Sequence, residues 1–318
     1  MIDPVRPVSL DDIEQARTRV SGTVLRTPLV KLDLGKDGPD IRLKLENLQP
    51  TNAYKIRGAV NAVAKLSDED RARGVRTISA GNAGQGVAYA ARQFGIPATV
   101  VAIETAPQTK LDRMRALGAT IVPVSYDRAW VAAETHEFEG LDSTFVHPFD
   151  NHEFIAGHGT MGLEILEDCP DVRTVICAIG GGGLISGVGS AIKAKRPEVR
   201  VLGSEPETAA PYALSLRKGG PRKFEDWQAS FVDGAGGKSV TERMWQRMRP
   251  VTDGTITVTL DQTAKAMRLI AEKSRTIAEG AGALALAAAL TGEAGDGPIV
   301  CIVSGGNIDL DSFAKLVG

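Results

Sequence analysis

Short apolar runs alternate along this chain with longer segments whose apolar residues recur every three or four positions. The first pattern predicts strands, the second amphipathic helices. After Ser9, DDIEQARTRV places acids in a first helical turn, with the serine as N-cap. IRLKLE alternates polar and apolar residues and predicts a half-buried strand, and KIRGAVNAVAKL predicts a helix. VRTIS, GVAYAARQFG and ATVVAI then read as strand, helix and strand. APQTKLDRMRALG reads as a helix stopped at Gly118, before the strand TIVPV. Further on, TMGLEILED and LISGVGSAIKAKR predict helices, with RTVICAI and RVLGSE as strands. TAKAMRLIAEK and GAGALALAAAL predict two last helices, and GPIVCIVS a last strand. LRKGGPRKFEDWQASFVDGAGGKS, rich in glycine and charge, reads as loop.

Strand-then-helix alternation implies an α/β fold with mostly parallel sheets, and strands that are apolar throughout suit positions covered on both faces. No internal repeat and no long linker divides the chain. In open α/β sheets ligands bind beyond the carboxyl ends of the strands, so the chemistry is sought where strands stop.

Composition narrows the field. At 318 residues, 43% hydrophobic and 24% charged, the chain has the balance of a globular protein of one or two domains. Its net charge of −2 comes from mixed acids and bases, without the basic stripe of a nucleic-acid binder. The N-terminal MIDPVRPVSLDDIEQAR is polar, unlike a signal peptide, and AGALALAAAL is too short to span a bilayer. Cys169, Cys177 and Cys301 have no metal-ligand spacing, and buried reduced thiols are expected. His136, His147, His152 and His158 are scattered and read as structural. A soluble, cytoplasmic protein with no nucleic-acid or membrane partner is expected.

Three strand ends carry unusual sequence. RTVICAI is followed by Gly180, Gly181, Gly182 and Gly183 and then a helix. That arrangement lets backbone N–H groups converge on an anion, phosphate above all. Gly181, Gly183 and Gly187, with Glu205 ending the next strand, also form a loose dinucleotide-binding pattern, so a nicotinamide-dependent oxidoreductase stays open here. VRTIS runs into Ala80, Gly81, Asn82, Ala83, Gly84 and Gln85, where small residues and short polar side chains suit either a carboxylate or a plain solvated loop. PIVCIVS ends in Ser304 before Gly305, Gly306 and Asn307, where glycines permit close approach of a ligand. Lys55 starts a helix beside Tyr54, with Arg57 two residues on. Burial or a neighbouring cation would make it a nucleophilic amine; otherwise it is one surface lysine among many.

QPTNAYKIRGA, SAGNAGQG, IAGHGTMGLEI, GGGGL, SEPE, VDGAGG, EGAGA and SGGNID occur in the order and approximate spacing of the serine/threonine dehydratase family. The chain resembles that family, which has the tryptophan-synthase-β-like fold, over nearly its whole length. The resemblance implies two open, twisted, mostly parallel α/β domains with pyridoxal 5′-phosphate in the cleft between them. Residues 1–66 with 152–318 would form the large cofactor-binding domain and 67–151 a small mobile one. It implies that Lys55 holds the cofactor as a Schiff base and afterwards takes the α-proton. Gly180, Gly181, Gly182 and Gly183 would hold the phosphate, with Leu184 closing the turn. Asn82 would contact the 3-hydroxyl, Ser304 the pyridine nitrogen and Tyr54 a ring face, with Glu279 on the cofactor side. Ser79, Ala80, Gly81, Asn82 and Gln85 would take the substrate carboxylate. The implied activity is β-elimination of a 3-hydroxy amino acid to a 2-oxo acid and ammonia, by a homodimer.

Several positions depart from the family pattern. Ala80 stands where racemases carry a second serine, which predicts weak or no racemisation, and Phe149-Asp150 matches threonine dehydratases. Ala83 replaces a histidine, Tyr54 a phenylalanine and His158 a glutamine, and the first change predicts room for a side chain larger than threonine's. Glu205 matches one ligand of the cation that many relatives bind, but Pro211 falls where the second acid is expected, so no metal is expected. A β-replacement enzyme of the same cofactor class is the alternative, and a non-catalytic binding protein is disfavoured by Lys55 itself.

Overall fold

Two sheets organise the computed structural model, which describes residues 4–318. The strands in chain order are β1 (Leu29–Lys31), β2 (Ile41–Leu45), β3 (Val75–Ile78), β4 (Ala98–Ile103) and β5 (Thr120–Val124). They continue with β6 (Thr144–Phe145), β7 (Thr174–Ala178), β8 (Arg200–Pro206), β9 (Gly254–Val258) and β10 (Ile299–Val303). One sheet has the order β1-β2-β10-β7-β8-β9 and the other β5-β4-β3-β6. All neighbours are parallel except β1 with β2. The mostly parallel architecture expected from the alternation is therefore present, and the four-stranded sheet is contributed entirely by residues 75–145.

The helices are α1 (Leu10–Val20), α2 (Lys55–Ala64), α3 (Asp68–Arg73), α4 (Asn82–Phe94), α5 (Gln108–Ala116), α6 (Tyr126–Thr135) and α7 (His152–Asp168). After them come α8 (Gly183–Lys195), α9 (Pro211–Lys218), α10 (Glu242–Met248), α11 (Leu260–Ser274), α12 (Gly280–Ala289) and α13 (Leu310–Val317). Local chemistry explains their starts. Ser9 and Asp12 form a reciprocal capping box for α1. Asn151 accepts from Phe154 N (2.8 Å), so α7 begins eight residues before the TMGLEILED stretch suggests. Gly118, at φ 90°, follows the end of α5 as expected.

Central strands β7 and β10 are buried at every position, as covered parallel strands should be. Helix α12 is Gly, Ala and Leu throughout and buried all round; having no polar face, it can only sit inside. It lies with α11 in the apolar layer on one side of the six-stranded sheet, whereas α7 and α8 supply the layer on the other. Helix α2 joins α4 and the four-stranded sheet in a third apolar cluster, while its other side meets α7. That crossing is close: a Cβ on Gly58 would lie 2.5 Å from the Phe154 carbonyl oxygen, and one on Gly157 2.4 Å from that of Arg57. The start of α2, and with it Lys55, thus sits where the two sheet layers meet.

Strand β2 departs from expectation. Its polar–apolar alternation predicts one wet face, yet Lys44 is fully buried. The strand lies between β1 and β10 with both faces covered, so the ammonium must be neutralised in place. It pairs with Glu164 (2.6 Å) and donates to the Thr27 carbonyl (2.7 Å). Arg57, also buried, joins the same network through Glu46 and Glu164.

Candidate active site

The carboxyl ends of the strands converge on a cavity of about 460 Å³ between the two sheets. Its walls include Tyr54 and Lys55 from the start of α2, and Ser79 to Ala83 from the loop after β3 and the first turn of α4. Gly181 comes from the loop after β7, Glu279 and Ala281 from the start of α12, and Ser304 from the end of β10. Residues far apart in sequence thus meet as the strand-end rule anticipates.

Lys55 is half-buried in the cavity wall, and its Nζ donates to the Pro148 carbonyl oxygen (2.6 Å). It lies near the rings of Tyr54 and Phe154, at 5.2 and 5.5 Å from their centroids. Burial in these surroundings lowers its pKa from 10.5 to about 7, so much of it is a neutral amine at neutral pH. Of the two causes open from sequence, desolvation is the one at work. Arg57 points away into its ion pairs with Glu46 and Glu164.

The glycine loop is packed too tightly for side chains. A Cβ on Gly181 would fall 2.3 Å from Cγ of Phe149, and one on Gly183 2.9 Å from the Phe149 carbonyl oxygen. Gly182 has φ 87° and caps α8, whose first amides lack intrahelical acceptors. Leu184 is buried in the core beneath the turn. This is a backbone cradle with positive helix-end potential, facing the cavity through Gly181.

Glu279 is 6% exposed, and its Oε1 accepts from Asn82 Nδ2 (2.7 Å). Burial, aided by the nearby charge of Asp233, pushes its carboxyl up to about 7. Ser304 Oγ donates to the Ala281 carbonyl (3.3 Å). Tyr54 is stacked edge-on against His158 (4.6 Å between centroids), so two departures from the family pattern are one contact. His158 is buried behind the cavity wall, where burial and the charges of Lys55 and Arg57 hold it well below its usual pKa. Ala80 and Ala83 line the cavity, whereas Gln85 is buried behind the loop with its amide nitrogen unpaired and does not line it.

Sequence reasoning gave two wall residues no part in the site. Pro148 supplies the carbonyl that holds Lys55, and Phe149 backs the glycine loop. The HPFD motif carries the signal: His147 Nδ1 accepts from Phe149 N (3.2 Å) and Asp150 N (2.9 Å) and folds that turn. Burial pushes His147 down to about 3, so it stays an acceptor at neutral pH. At the mouth, Lys110 Nζ pairs with Asp233 Oδ2 (2.5 Å), joining α5 to the loop before α10.

Glu205 lies elsewhere. Its oxygens accept from Tyr212 N (2.7 Å) and Ala213 N (2.8 Å), capping α9 behind Pro211. That use fits neither a ribose-binding acid nor a cation ligand, and the described residues contain no group of three or more His, Cys, Asp or Glu arranged to hold a metal. The three cysteines are buried and free. No helix among the described residues is long and apolar enough to cross a membrane.

A family model described as pyridoxal-phosphate dependent enzyme matches residues 20–305. An L-threonine ammonia-lyase of Thermotoga maritima is 41% identical over 315 residues, covering 98% of this chain and 78% of that one. Among solved structures, maize serine racemase superposes with a TM-score of 0.90 at 33% identity, covering 98% of this chain and 97% of that one. The processed form of threonine deaminase isoform 2 from Solanum lycopersicum gives 0.87 at 31% identity, with coverages of 99% and 97%.

Proposed function

The chain belongs to the pyridoxal-phosphate dependent enzymes, within their serine/threonine dehydratase branch, and from that membership we propose that it is an ammonia-lyase acting on a 3-hydroxy amino acid. Elimination of the β-hydroxyl gives a 2-oxo acid and ammonia. The observation that carries this reading is the placement of a half-buried Lys55 amine, its pKa lowered to about 7, in the same cavity as the loop after β3 and the glycine cradle before α8.

The site suits the cofactor on its own chemistry. The cradle before α8 has no room for side chains and offers backbone amides to a phosphate. When bound, pyridoxal phosphate supplies a conjugated ring that accepts the charge left at Cα. The protein supplies the rest. Lys55 would hold the cofactor covalently and then, as a free amine held by Pro148, remove the α-proton. Ser304 would face the ring nitrogen as a neutral partner, Tyr54 would cover one face and Asn82 would meet the 3-oxygen. A serine there keeps the ring a weaker electron sink than an aspartate would, which favours prompt departure of the β-group. The amides and hydroxyl of Ser79 to Asn82 would bind the carboxylate; Gln85 would have to turn to join them. Ala80 offers no hydroxyl to the opposite face, so elimination without racemisation is expected. Residues 67–151 would move against the rest as a small domain.

Serine and threonine are the first substrates this reading names, and Ala83 leaves space for larger side chains. The test is to record the absorbance of the protein with pyridoxal phosphate and follow 2-oxo acid release from a panel of 3-hydroxy amino acids. A visible band near roughly 410 nm, a property of the bound cofactor, together with release from one of them supports the lyase and names its substrate. Product formation only with an added nucleophile would instead indicate β-replacement. A colourless protein would refute the role of Lys55.

A further inference from the structure

A hydrogen-bonded chain of four side chains runs from an exposed residue of α5 to the cavity wall. Arg113 donates from Nη1 to Asn307 Oδ1 (3.0 Å). Asn307, 6% exposed, donates from Nδ2 to the Thr51 carbonyl (2.8 Å) and to Asn82 Oδ1 (2.8 Å). Asn82 in turn donates from Nδ2 to Glu279 Oε1 (2.7 Å), and the backbone N–H of Asn307 also donates to Glu279. Arg113 and Asn82 lie on helices of the four-stranded sheet, whereas Asn307, Thr51 and Glu279 belong with the six-stranded one. The chain therefore crosses the cleft. Gly305 makes room for it, since a Cβ there would lie 2.6 Å from Glu279 Oε1 and 3.1 Å from Asn82 Nδ2.

A side-chain amide has a donor end and an acceptor end of nearly the same shape. Which end of Asn82 faces Glu279 and the cavity depends on what holds the other. Asn307 Nδ2 holds the acceptor end, and the orientation of Asn307 is itself decided twice. The Thr51 carbonyl requires a donor, and Arg113 requires an acceptor. We propose that Asn307 is the positioning residue that presents Asn82 donor-first to the 3-oxygen of the cofactor, and that Arg113 makes this setting depend on the two sheets being held together. The inference rests on the reading above, in which the cavity takes pyridoxal phosphate and Asn82 meets that oxygen.

Asn307→Asp tests it with almost no change of shape. The carboxylate still pairs with Arg113 but can donate neither to the Thr51 carbonyl nor to Asn82, which must turn its amide and show the cavity an acceptor. Protein loaded with pyridoxal phosphate should then hold its 3-oxygen protonated to higher pH. The pH midpoint of the visible band should rise by about one unit, the equivalent of about tenfold, or one hydrogen bond. With Lys55 taken up in holding the cofactor, the other charged groups lining the cavity, Lys110, Asp233 and Glu279, stay as they were, but the introduced carboxylate adds one of its own. Two second-site changes separate polarity from charge. In the N307D background E279Q can donate to the turned Asn82 while accepting from the backbone N–H at position 307, so it holds the acceptor towards the cavity and the raised midpoint should persist although a carboxylate has gone. D233N removes a negative charge and leaves the amide turned, so it too should leave most of the rise, whereas a rise caused by the added charge would fall with either change.

A raised midpoint that survives E279Q supports the proposal; its return to the wild-type value with E279Q or D233N, or an N307D spectrum and midpoint matching the wild type, overturns it. Should N307D fail to fold, R113M, altered at an exposed position, takes its place. A smaller shift in the same direction supports the proposal and an unchanged midpoint overturns it. Failure of the wild type to take up the cofactor would instead sink the functional reading itself.

Discussion

Arg57→Met should cost about 3–5 kcal/mol of folding stability at pH 8, the range for breaking a buried ion pair by removing one partner. Arg57 is bonded to both oxygens of Glu46 (2.8 Å each) and of Glu164 (2.7 and 2.9 Å). It also donates to Thr160 Oγ1 and the Leu25 carbonyl, both at 3.1 Å. Without it Glu164 keeps Lys44 (2.6 Å), but Glu46, fully buried, keeps only neutral donors from Thr27 and Gln49. The uncompensated charge is therefore that of Glu46. In the wild type, Glu46 contends with burial, but Arg57 outweighs it and holds the carboxyl below its usual pKa. Its contribution is present above the unfolded value of about 4.3 and is lost as pH falls through the lower folded one. In the variant burial is opposed only by the hydrogen bonds from Thr27 and Gln49 and the more distant Lys44 charge, so the pKa rises and the group protonates at milder acidity. The difference between the two proteins should shrink as pH drops from 8 to 5. Urea unfolding at both pH values measures it. E46Q in the R57M background should return part of the loss. A deficit below about 1 kcal/mol at pH 8, or one independent of pH, would refute the account of an unpaired buried carboxylate.

Three further outcomes are expected. Capture of pyridoxal phosphate by cofactor-free protein should quicken with pH and level off just above about 7, the lowered pKa of Lys55, instead of climbing towards 10.5; stopped-flow absorbance would show which. Gly181→Ala forces a Cβ to within 2.3 Å of Phe149 Cγ, and an overpacking cost of about 1–3 kcal/mol should weaken cofactor binding roughly 5- to 150-fold by equilibrium dialysis. Turnover should survive exhaustive chelation, because Glu205 spends its oxygens on the N–H groups of Tyr212 and Ala213; loss that magnesium restores would contradict this.

The core of the fold was readable because apolar period and chain punctuation agree. β7, β10 and α12 are apolar without interruption, and nothing but burial suits them. Elements left out of the sequence reading are short or mixed: β9 begins at a glycine and is half wet, and α6 carries charge in its first turn. The glycine cradle was legible because four consecutive glycines have a backbone cost that only a close approach explains. The direction of a long side chain was not. Arg57 follows Lys55 by two residues, yet the helix turns it into the core, and only the fold reveals that Glu46 and Glu164 wait there. Asn307 was visible as the end of a glycine pair, but its role depends on Arg113, which reaches it from the other sheet.

Strand pairing has a consequence for biosynthesis. β2 lies beside β10 from Ile41 against Ile299 to Leu45 against Val303, so its neighbour is synthesised long after it. Until then the edge of β2 has no partner on that side, and its buried Lys44 also waits for Glu164. Contacts of such sequence separation form late and slow folding. The four-stranded sheet, made from one continuous stretch, has no such wait and can assemble during synthesis. A nascent chain paused before residue 299 would therefore hold one finished sheet and one open edge, the species that chaperones should meet.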